Sequence, residues 1–358
     1  NAQPLRATMA CRAEGFTYST GKVIVIRSKI LSFVYWSILA LVLAFVIGWV
    51  IVYKHGYQAP VSMIGSTMIK TKGNAYYQNG TGPLEIWDAI DVVKPPVENS
   101  AAFLTTNFLR TMDQSRGICG GIDTCTSDAQ CQGKSANADA SGIRTGICLP
   151  EGVCQVQAWC PVEPALSGRA TVNFLQGVDE FTLFLRVSIS FPTKNIRADS
   201  GSSLVDGKNL FTTRELLQRA GIVYENVQQL GTLVAVSYDY DCNLDVNIAK
   251  CNPLITYARL DDPTSKFSTG FNYRYADYYS SVNFTNFDGA NTHHQQIQYR
   301  NLFKVYGMRF VVLVSGAGRK FDIKNLATNL GSGLAMLGIA ATVADVLLVY
   351  VLPKRQLY

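Results

Sequence analysis

The sequence predicts a membrane protein in which two transmembrane α-helices flank a large, β-rich, disulfide-containing extracellular domain. Two long apolar stretches, one near each end of the chain, are each long enough for a helix to cross about 30 Å of hydrocarbon at about 1.5 Å per residue. Eight of the nine cysteines lie between them. The intervening segment is long enough to bury a full hydrophobic core.

The two apolar stretches lie in residues 30–53 and 323–352. The first contains no charged residue. The second is rich in Gly and Ala, and from Asn325 onward its one charged residue is Asp345. Basic residues favour the cytoplasmic side of a membrane, and they precede the first stretch and follow the second: Arg12, Lys22, Arg27, Lys29, Lys354 and Arg355. We therefore expect cytoplasmic ends at residues 1–29 and 353–358, and an extracellular domain at residues 54–322.

Glycosylation sequons and cysteines indicate the same compartment for the middle of the chain. Asn79 and Asn283 each begin an Asn-x-Thr sequon, which is modified only in the secretory lumen. Six cysteines fall within residues 119–160, and Cys242 and Cys251 lie nine residues apart. An even number in an oxidising compartment predicts four disulfides, although six clustered cysteines allow fifteen connectivities. The alternative, a zinc site, is disfavoured because the C-x2-C spacing is missing.

The middle of the chain has the residue pattern of a β-rich domain. Phe181–Ile189 alternates apolar and polar residues, and three further segments are rich in β-branched and aromatic residues. Those segments are Leu233–Tyr240, Gln298–Tyr306 and Met308–Ser315. One short helix is predicted at Arg214–Ala220, because Thr212 and Glu215 have the spacing of a capping box and Gly221 is suited to end the helix.

No enzyme signature is present. The sequence lacks the G-x-S-x-G, G-x-x-x-x-G-K-[ST] and H-E-x-x-H motifs, and its three histidines leave little for acid–base catalysis. The net charge of +6 is modest and gives no footprint for nucleic acid. We therefore expect neither an enzyme nor a nucleic-acid-binding protein.

Positive charge recurs at strand spacing in the extracellular segment. Lys70 and Lys72 are two residues apart, as are Asn272 and Arg274, so on strands each pair would face one side. Lys304 and Arg186 lie in other strand-like segments. Taken alone, this pattern is typical of solvated strand faces.

Several long motifs resemble the ionotropic purinergic receptors, the trimeric cation channels gated by extracellular ATP. The resemblance runs from about Tyr18 to Lys354. The motifs are residues 65–73 (GSTMIKTKG), 87–96 (WDAIDVVKPP), 160–163 (CPVE), 259–262 (RLDD), 271–276 (FNYRYA), 299–307 (YRNLFKVYG), 320–323 (KFDI) and 331–335 (GSGLA).

The resemblance implies an ATP site between neighbouring subunits. One subunit would supply Lys70, Lys72 and Thr182, with Lys72 at the phosphates and Thr182 at the adenine edge. The next would supply Asn272, Arg274 and Lys304. Phe184, beside the base, and Arg186 complete the expected set. Two departures from the family are Tyr273, where many members have Phe, and Phe184, where relatives commonly carry a smaller aliphatic residue.

The resemblance also implies the disulfide pairing, the gate and the partners. It pairs Cys119 with Cys160, Cys125 with Cys148, Cys131 with Cys154 and Cys242 with Cys251, and its usual fifth extracellular pair is missing here. Two helices cannot enclose a lumen, so an oligomer is required, and the resemblance implies a homotrimer with Thr328, Ser332 and Ala335 on the face that lines the gate. The expected ligand is ATP, possibly as a magnesium complex, without a cofactor. The expected permeants are Na⁺, K⁺ and Ca²⁺, and the expected location is the lipid of the plasma membrane.

Two other functional classes fit part of the sequence. A two-span channel of the acid-sensing or epithelial sodium channel type shares the topology but not the Lys-Thr-Lys, Asn-Tyr-Arg and Lys304 set. A membrane-tethered nucleotide hydrolase would need an acid–base or metal constellation that the sequence does not offer.

Overall fold

The computed structural model of the chain describes residues 28–135, 141–163, 173–199, 209–265, 269–288 and 291–351. Apart from Ser28 and Lys29, both predicted cytoplasmic ends lie outside the described residues, as does the side chain of Asn283. The chain divides into two compact units. One unit contains the two long helices with the residues up to Ala59 and from Asp322 onward, and the other spans Pro60–Phe321.

The helices are α1 (Lys29–Ala44), α2 (Ala89–Val92), α3 (Thr213–Arg219), α4 (Tyr224–Val227) and α5 (Ile323–Val346). Both long helices end in π-helical turns, α1 at Phe45–Tyr53 and α5 at Leu347–Val351. Short 3-10 turns occupy Asp128–Cys131, Val178–Glu180, Pro192–Lys194 and Ile248–Lys250.

The strands are β1 (Gln58–Ser62), β2 (Ile64–Lys72), β3 (Asn74–Gln78), β4 (Leu84–Asp88), β5 (Ala101–Thr124), β6 (Ile143–Cys148), β7 (Val153–Cys160), β8 (Asn173–Phe174), β9 (Thr182–Phe191), β10 (Ile196–Asp199), β11 (Leu210–Thr212), β12 (Thr232–Asn243), β13 (Leu254–Arg259), β14 (Asn272–Asp288) and β15 (Asn291–Phe321). The strand segments predicted from the sequence all lie within β9, β12 and β15, apart from Phe181, which immediately precedes β9.

The two long helices have the length and composition of membrane spans. They cover Lys29–Tyr53, with 25 residues, and Ile323–Tyr350, with 28 residues. They pack through small side chains, since Gly333, Ala340 and Ala344 are the buried residues of α5. A Cβ atom added to Gly333 would lie 2.6 Å from the Val46 side chain, so glycine permits this close approach.

The described part of the second unit is built on three antiparallel or mixed sheets. The largest has nine strands with the central order β13-β12-β15-β5-β7-β6, and β1 and β14 also pair with β15. In the four-stranded sheet, β10 and β11 pair with opposite ends of one edge of β9, and β2 pairs along nearly the whole of the other edge. Strands β3 and β4 form a separate hairpin. Only the β12–β15 pair is parallel among the pairings whose register is described.

The hydrophobic core lies between the two larger sheets and α3. Alternate residues of β9 are fully buried, as the alternation in the sequence predicts. They pack with buried residues of β5, β12, β15 and α3, of which the largest are Phe103, Phe108, Phe310, Met308 and Leu216. The remaining residues of β9, at the even-numbered positions from Thr182 to Ser190, are partly exposed on the opposite face of the sheet.

Strand β15 corrects one expectation from the sequence. The sequence predicts two segments, Gln298–Tyr306 and Met308–Ser315, on either side of Gly307, but the chain continues through Gly307 as one strand of 31 residues. The register against β5 shifts between Tyr306 and Gly307. A Cβ atom at position 307 would lie 2.0 Å from the Leu104 carbonyl oxygen, so glycine marks a bulge with close backbone approach rather than an end.

Helix α3 forms where the capping signal predicts it. The Thr212 hydroxyl accepts a hydrogen bond from the Glu215 backbone N–H at 3.1 Å. The Glu215 carboxylate accepts from Arg219 at 2.8 Å, one turn along the helix. The threonine half of the capping box is therefore present, and the glutamate serves an i,i+4 ion pair.

The described cysteine-rich segment is held together by disulfides. The four bridges join Cys119 to Cys160, Cys125 to Cys148, Cys131 to Cys154 and Cys242 to Cys251, the pairing that the family resemblance implies. Cys125, Cys131 and Cys154 form a small buried cluster of their own. The bridges thus supply cross-links where the segment has little apolar core.

Candidate functional site

Two lysines lie on the exposed face of the four-stranded sheet. Lys70 of β2 pairs with Phe184 of β9, and Lys72 pairs with Thr182. Cross-strand partners point to the same side of a sheet, so all four side chains share the face opposite the core. The sequence predicted this grouping from residue spacing and from the resemblance, and Arg186, paired with Met68, extends the same face.

An apolar patch adjoins these lysines on the same face. Leu210 of β11 pairs with Phe184, and 54% of Leu210 is exposed. The Thr182 hydroxyl donates to the Lys72 carbonyl at 3.1 Å, so the threonine side chain is held against the end of β2. Leu210 was missed in the sequence, because its placement depends on the pairing of β11 with β9, which no local pattern indicates.

A second basic cluster lies on β14 and β15. Arg274 and Lys304 are cross-strand partners, and both contact the carboxylate of Glu163. The Arg274 guanidinium donates to the two Glu163 oxygens at 2.7 and 3.1 Å, and the Lys304 ammonium lies 3.6 Å away. The Lys304 and Glu163 side chains are each only 9% exposed, whereas Arg274 is 42% exposed.

Lys304 is therefore not the solvated strand-face residue that the sequence pattern alone suggests, whereas Arg274 remains partly exposed. Lys304 is buried, and a buried ammonium requires a partner of opposite charge. The ammonium also lies 5.5 Å from the Tyr306 ring centroid. Two cations that already hold one oxyanion by a fork and a point charge form a geometry suited to phosphate.

The position of Glu163 is fixed by the end of β7. Cys160 ends this strand, pairs with Ser115 on β5 and is bonded to Cys119. The buried Gln114 side chain donates to the Pro161 carbonyl at 2.6 Å and accepts from the Arg300 guanidinium at 2.8 Å. Residues 160–163 are thereby held against β14 and β15. The motif was visible in the sequence, but the role of its glutamate was not assigned.

Tyr273, which lies between Asn272 and Arg274, holds the start of β14 against Lys94 and Phe103. Its hydroxyl donates to the Lys94 carbonyl, and its ring packs edge-on against Phe103 at 4.8 Å. Burial raises the pKa of Tyr273, so the hydroxyl keeps its proton at neutral pH. Burial likewise raises the pKa of Tyr275 to about 12. The departure from phenylalanine at position 273 thus adds a partly buried hydrogen bond behind the basic cluster.

The predicted ligand residues therefore fall into two groups on different sheets. The four-stranded sheet carries Lys70, Lys72, Thr182, Phe184 and Arg186. The nine-stranded sheet carries Asn272, Arg274 and Lys304, to which the structure adds Glu163. Asn272 lies at the exposed start of β14.

The three predicted gate residues share an exposed side of α5. Thr328, Ser332 and Ala335 are exposed in the single subunit, whereas Gly333 and Ala340 face α1. Both hydroxyls bond to the helix itself, Thr328 to the Lys324 carbonyl at 2.9 Å and Ser332 to the Asn329 carbonyl at 3.0 Å. This side is thus available to other subunits or to a lumen.

One group of residues in the described chain has the proximity of metal ligands. It consists of Cys125, Cys131 and Cys154. All three sulfur atoms belong to disulfides, and a disulfide sulfur is not the thiolate that binds metal ions. The cluster is therefore structural.

Comparisons with known proteins agree along nearly the whole chain. The family model described as "ATP P2X receptor" matches residues 16–358. P2X purinoceptor 4 of Bos taurus is 33% identical over 96% of this chain and 92% of its own length. P2X purinoceptor 5 of Homo sapiens is 31% identical over 96% of this chain and 80% of its own length.

Solved structures give the same result. A P2X receptor from the Gulf Coast tick, crystallised with ATP and Zn²⁺, has a TM-score of 0.69 at 27% identity, over 87% of this chain and 99% of that one. The chicken ATP-gated P2X7 receptor channel with the competitive antagonist TNP-ATP has a TM-score of 0.70 at 26% identity, over 89% and 98%.

The anchoring hydroxyl at position 273 can be tested by Tyr273→Phe. We expect the free energy of unfolding to fall by about 1 kcal/mol, because the change removes one partly buried hydrogen bond and keeps the ring. Thermal unfolding of the detergent-solubilised protein measures the loss. Tyr278→Phe is the matched control, since Tyr278 is 58% exposed. An equal effect of the two substitutions would contradict the anchoring role.

Proposed function

Because the chain belongs to the ATP P2X receptor family, we propose that ATP opens its cation pore by joining the two basic groups across a subunit boundary. The protein is a trimeric, ATP-gated cation channel with two membrane-spanning helices in each subunit, and it is not an enzyme. The observation that carries the site proposal is that the partly exposed Arg274 and the buried Lys304 both contact the carboxylate of Glu163. Whole-cell recording during ATP application tests the function, and absence of current from surface-expressed protein would reject it.

In this proposal the two spans cross the plasma membrane. Both ends of the chain are cytoplasmic, and the β-rich unit lies outside the cell. The basic residues flanking the spans support this orientation. Asn79 supports it as well, because this sequon lies in the exposed turn between β3 and β4, where a glycan can be accommodated. Na⁺, K⁺ and Ca²⁺ are the proposed permeants, and lipid surrounds the spans.

ATP enters the proposed site between Lys70 and Lys72 of one subunit and Asn272, Arg274 and Lys304 of the next. A triphosphate carries about four negative charges, and several cations are needed to remove it from water. Thr182 and the apolar pair Phe184 and Leu210 offer a surface for the base and sugar, with Arg186 on the same face. ATP acts as the ligand without a cofactor, either free or as its magnesium complex.

Glu163 occupies the phosphate-binding groups before ATP arrives. Its carboxylate takes the fork of Arg274 and the charge of Lys304. A phosphate must displace this carboxylate or share the two cations with it, so part of the binding free energy goes into breaking an existing ion pair. The subunit therefore has two arrangements of the same cations, and ATP favours one of them.

The pore in this proposal is formed by three copies of α5. Thr328, Ser332 and Ala335 line the gate, since they lie on the side of α5 that does not pack on α1. Binding of ATP draws the two basic groups together, and the movement reaches α5 through β15, which ends at Phe321. The outer helix is α1, whose exposed aromatic residues are suited to lipid.

Membership in this family does not favour the two alternatives. A channel of the acid-sensing or epithelial sodium channel type shares the two-span topology but not the two basic groups. A nucleotide hydrolase would require a metal or acid–base centre, and the only metal-ligand-like group among the described residues consists of disulfide sulfurs.

The subunit-boundary proposal predicts a pattern in concatenated trimers. Lys72→Ala or Arg274→Ala in all subunits should raise the half-activating ATP concentration about ten- to hundredfold, since a charge-assisted contact contributes about 1.5–3 kcal/mol. Placed in two neighbouring subunits so that they meet at one boundary, the two substitutions should damage one site. The reversed order should damage two sites and reduce ATP sensitivity further.

The reversed concatemer is itself the control, because both concatemers contain the same two substitutions and differ only in their order. Surface biotinylation verifies equal expression. Identical ATP responses of the two orders would contradict a site shared between subunits.

Glu163→Gln tests the displacement of the carboxylate. We expect half-activation at about tenfold lower ATP, because the neutral amide competes less well for Arg274 and Lys304, and tenfold corresponds to about 1.4 kcal/mol. Concentration–response curves in transfected cells measure the shift, with the exposed Glu151→Gln as the control. An unchanged or higher half-activating concentration at normal surface expression would remove Glu163 from competition with ATP.

Ser332→Cys tests the gate. The introduced thiol should react with a charged methanethiosulfonate reagent applied from outside mainly while ATP is present, because the pore must open to admit the reagent. The rate at which the reagent changes the current measures access, and the parent chain controls for native cysteines. Equal rates with and without ATP would exclude Ser332 from the gated pathway.

A further inference from the structure

Three consecutive backbone carbonyls after the first span are all bonded by the start of α5. The Asp322 backbone N–H donates to the Tyr57 carbonyl at 3.0 Å, and the Asn325 side-chain amide donates to the Gln58 carbonyl at 2.9 Å. The Asn329 side-chain amide donates to the Gly56 carbonyl. We call Gly56, Tyr57 and Gln58 the outer segment. All these residues belong to the same compact unit.

The local sequence explains why these bonds form. Asn325 and Asn329 are four residues apart, so their amides lie on one face of α5. The Asp322 side chain caps the helix by accepting from the Lys324 and Asn325 N–H groups at 2.8 and 3.0 Å, which fixes the first turn. Asn325 and Asn329 are both half-buried against the outer segment.

Glycine is required at position 56 for this approach. A Cβ atom there would lie 2.8 Å from the Val50 carbonyl oxygen and 3.0 Å from the Asn329 amide nitrogen. The Gly56 N–H also donates to the Val50 carbonyl at 2.9 Å, which ends the first span. The outer segment is therefore fastened on one side to the end of α1 and on the other to the start of α5.

The amides attach at the turn of α5 that carries the proposed gate. Asn329 directly follows Thr328, and Ser332 donates its hydroxyl to the Asn329 carbonyl at 3.0 Å. A displacement of the outer segment is thus passed to α5 within one turn of the gate residues. The Asp322–Tyr57 bond alone would deliver the displacement only at the cap of α5, about two turns earlier.

We propose that Asn325 and Asn329 are positioning residues for pore opening, which couple the outer end of the first span to the gate-bearing turn of the second. This inference rests on the proposed channel function. Through the two amides, ATP-driven movement that enters by β1, which begins at Gln58, acts on α5 together with movement that enters by β15. Without the amides, the outer segment keeps only its Tyr57–Asp322 bond at the cap of α5, and less of the binding free energy reaches the gate.

The test is the variant pair Asn325→Ala and Asn329→Ala, alone and combined, in single-channel recordings at saturating ATP. Each substitution should lower the open–closed equilibrium constant about fivefold, since a typical net hydrogen bond contributes about 1 kcal/mol, and the combination should lower it more. Binding of a radiolabelled ATP analogue to intact cells and surface expression should stay within twofold. Lys324→Gln is the control, because its side chain is exposed on another face of the same turn.

A purely structural role would lower surface expression and leave the equilibrium constant of the surviving channels unchanged, which would overturn the proposal. Spontaneous opening without ATP would also overturn it, since the amides would then hold the pore shut. If the parent chain gives no ATP-evoked current, the proposed function fails. If the parent responds and both variants match it, only this inference fails.

Discussion

Backbone hydrogen bonding along β15 is the constraint on which the rest of the structure depends. This strand pairs with β1, β5, β12 and β14, and its last residue, Phe321, lies two residues before α5. Its register against β14 sets Arg274 beside Lys304. Its register against β5 sets both near the segment that carries Glu163. A slip of one residue would turn every side chain to the other face, so the basic cluster and the core form together.

The cluster at Glu163 joins one buried cation and one partly exposed cation to a single buried carboxylate. Burying Lys304 without a counter-charge would be costly, and Glu163 offsets that cost. The same carboxylate also accepts two hydrogen bonds from the Arg274 guanidinium. Both cations are therefore paired with one carboxylate, and an anion that binds there in the proposed function must compete with Glu163 for them.

The outer ends of the membrane helices follow a related principle. Asparagine amides that bond to backbone carbonyls of another segment satisfy polar groups on both sides. Near a membrane surface such bonds hold two helices in register where small residues such as Gly333 allow close contact but give little directionality. The glycine contact sets the distance between the spans, and the amides set which turn of α5 meets the outer segment.

The sequence alone determined the two spans, the β-rich unit between them and the cap of α3, because hydrocarbon thickness, period-two alternation and capping are local rules. Spacing put Lys70 with Lys72 and Asn272 with Arg274 on strand faces, and the resemblance to a known family brought them into one hypothesis. Only the tertiary structure decided that Gly307 is a bulge rather than a strand end, because the reason is the nearby Leu104 carbonyl. It also decided that Leu210 joins Phe184, that Glu163 holds Arg274 and Lys304, and that Asn329 reaches Gly56. Each of these contacts joins residues far apart in the chain, and no local pattern encodes the register that brings them together.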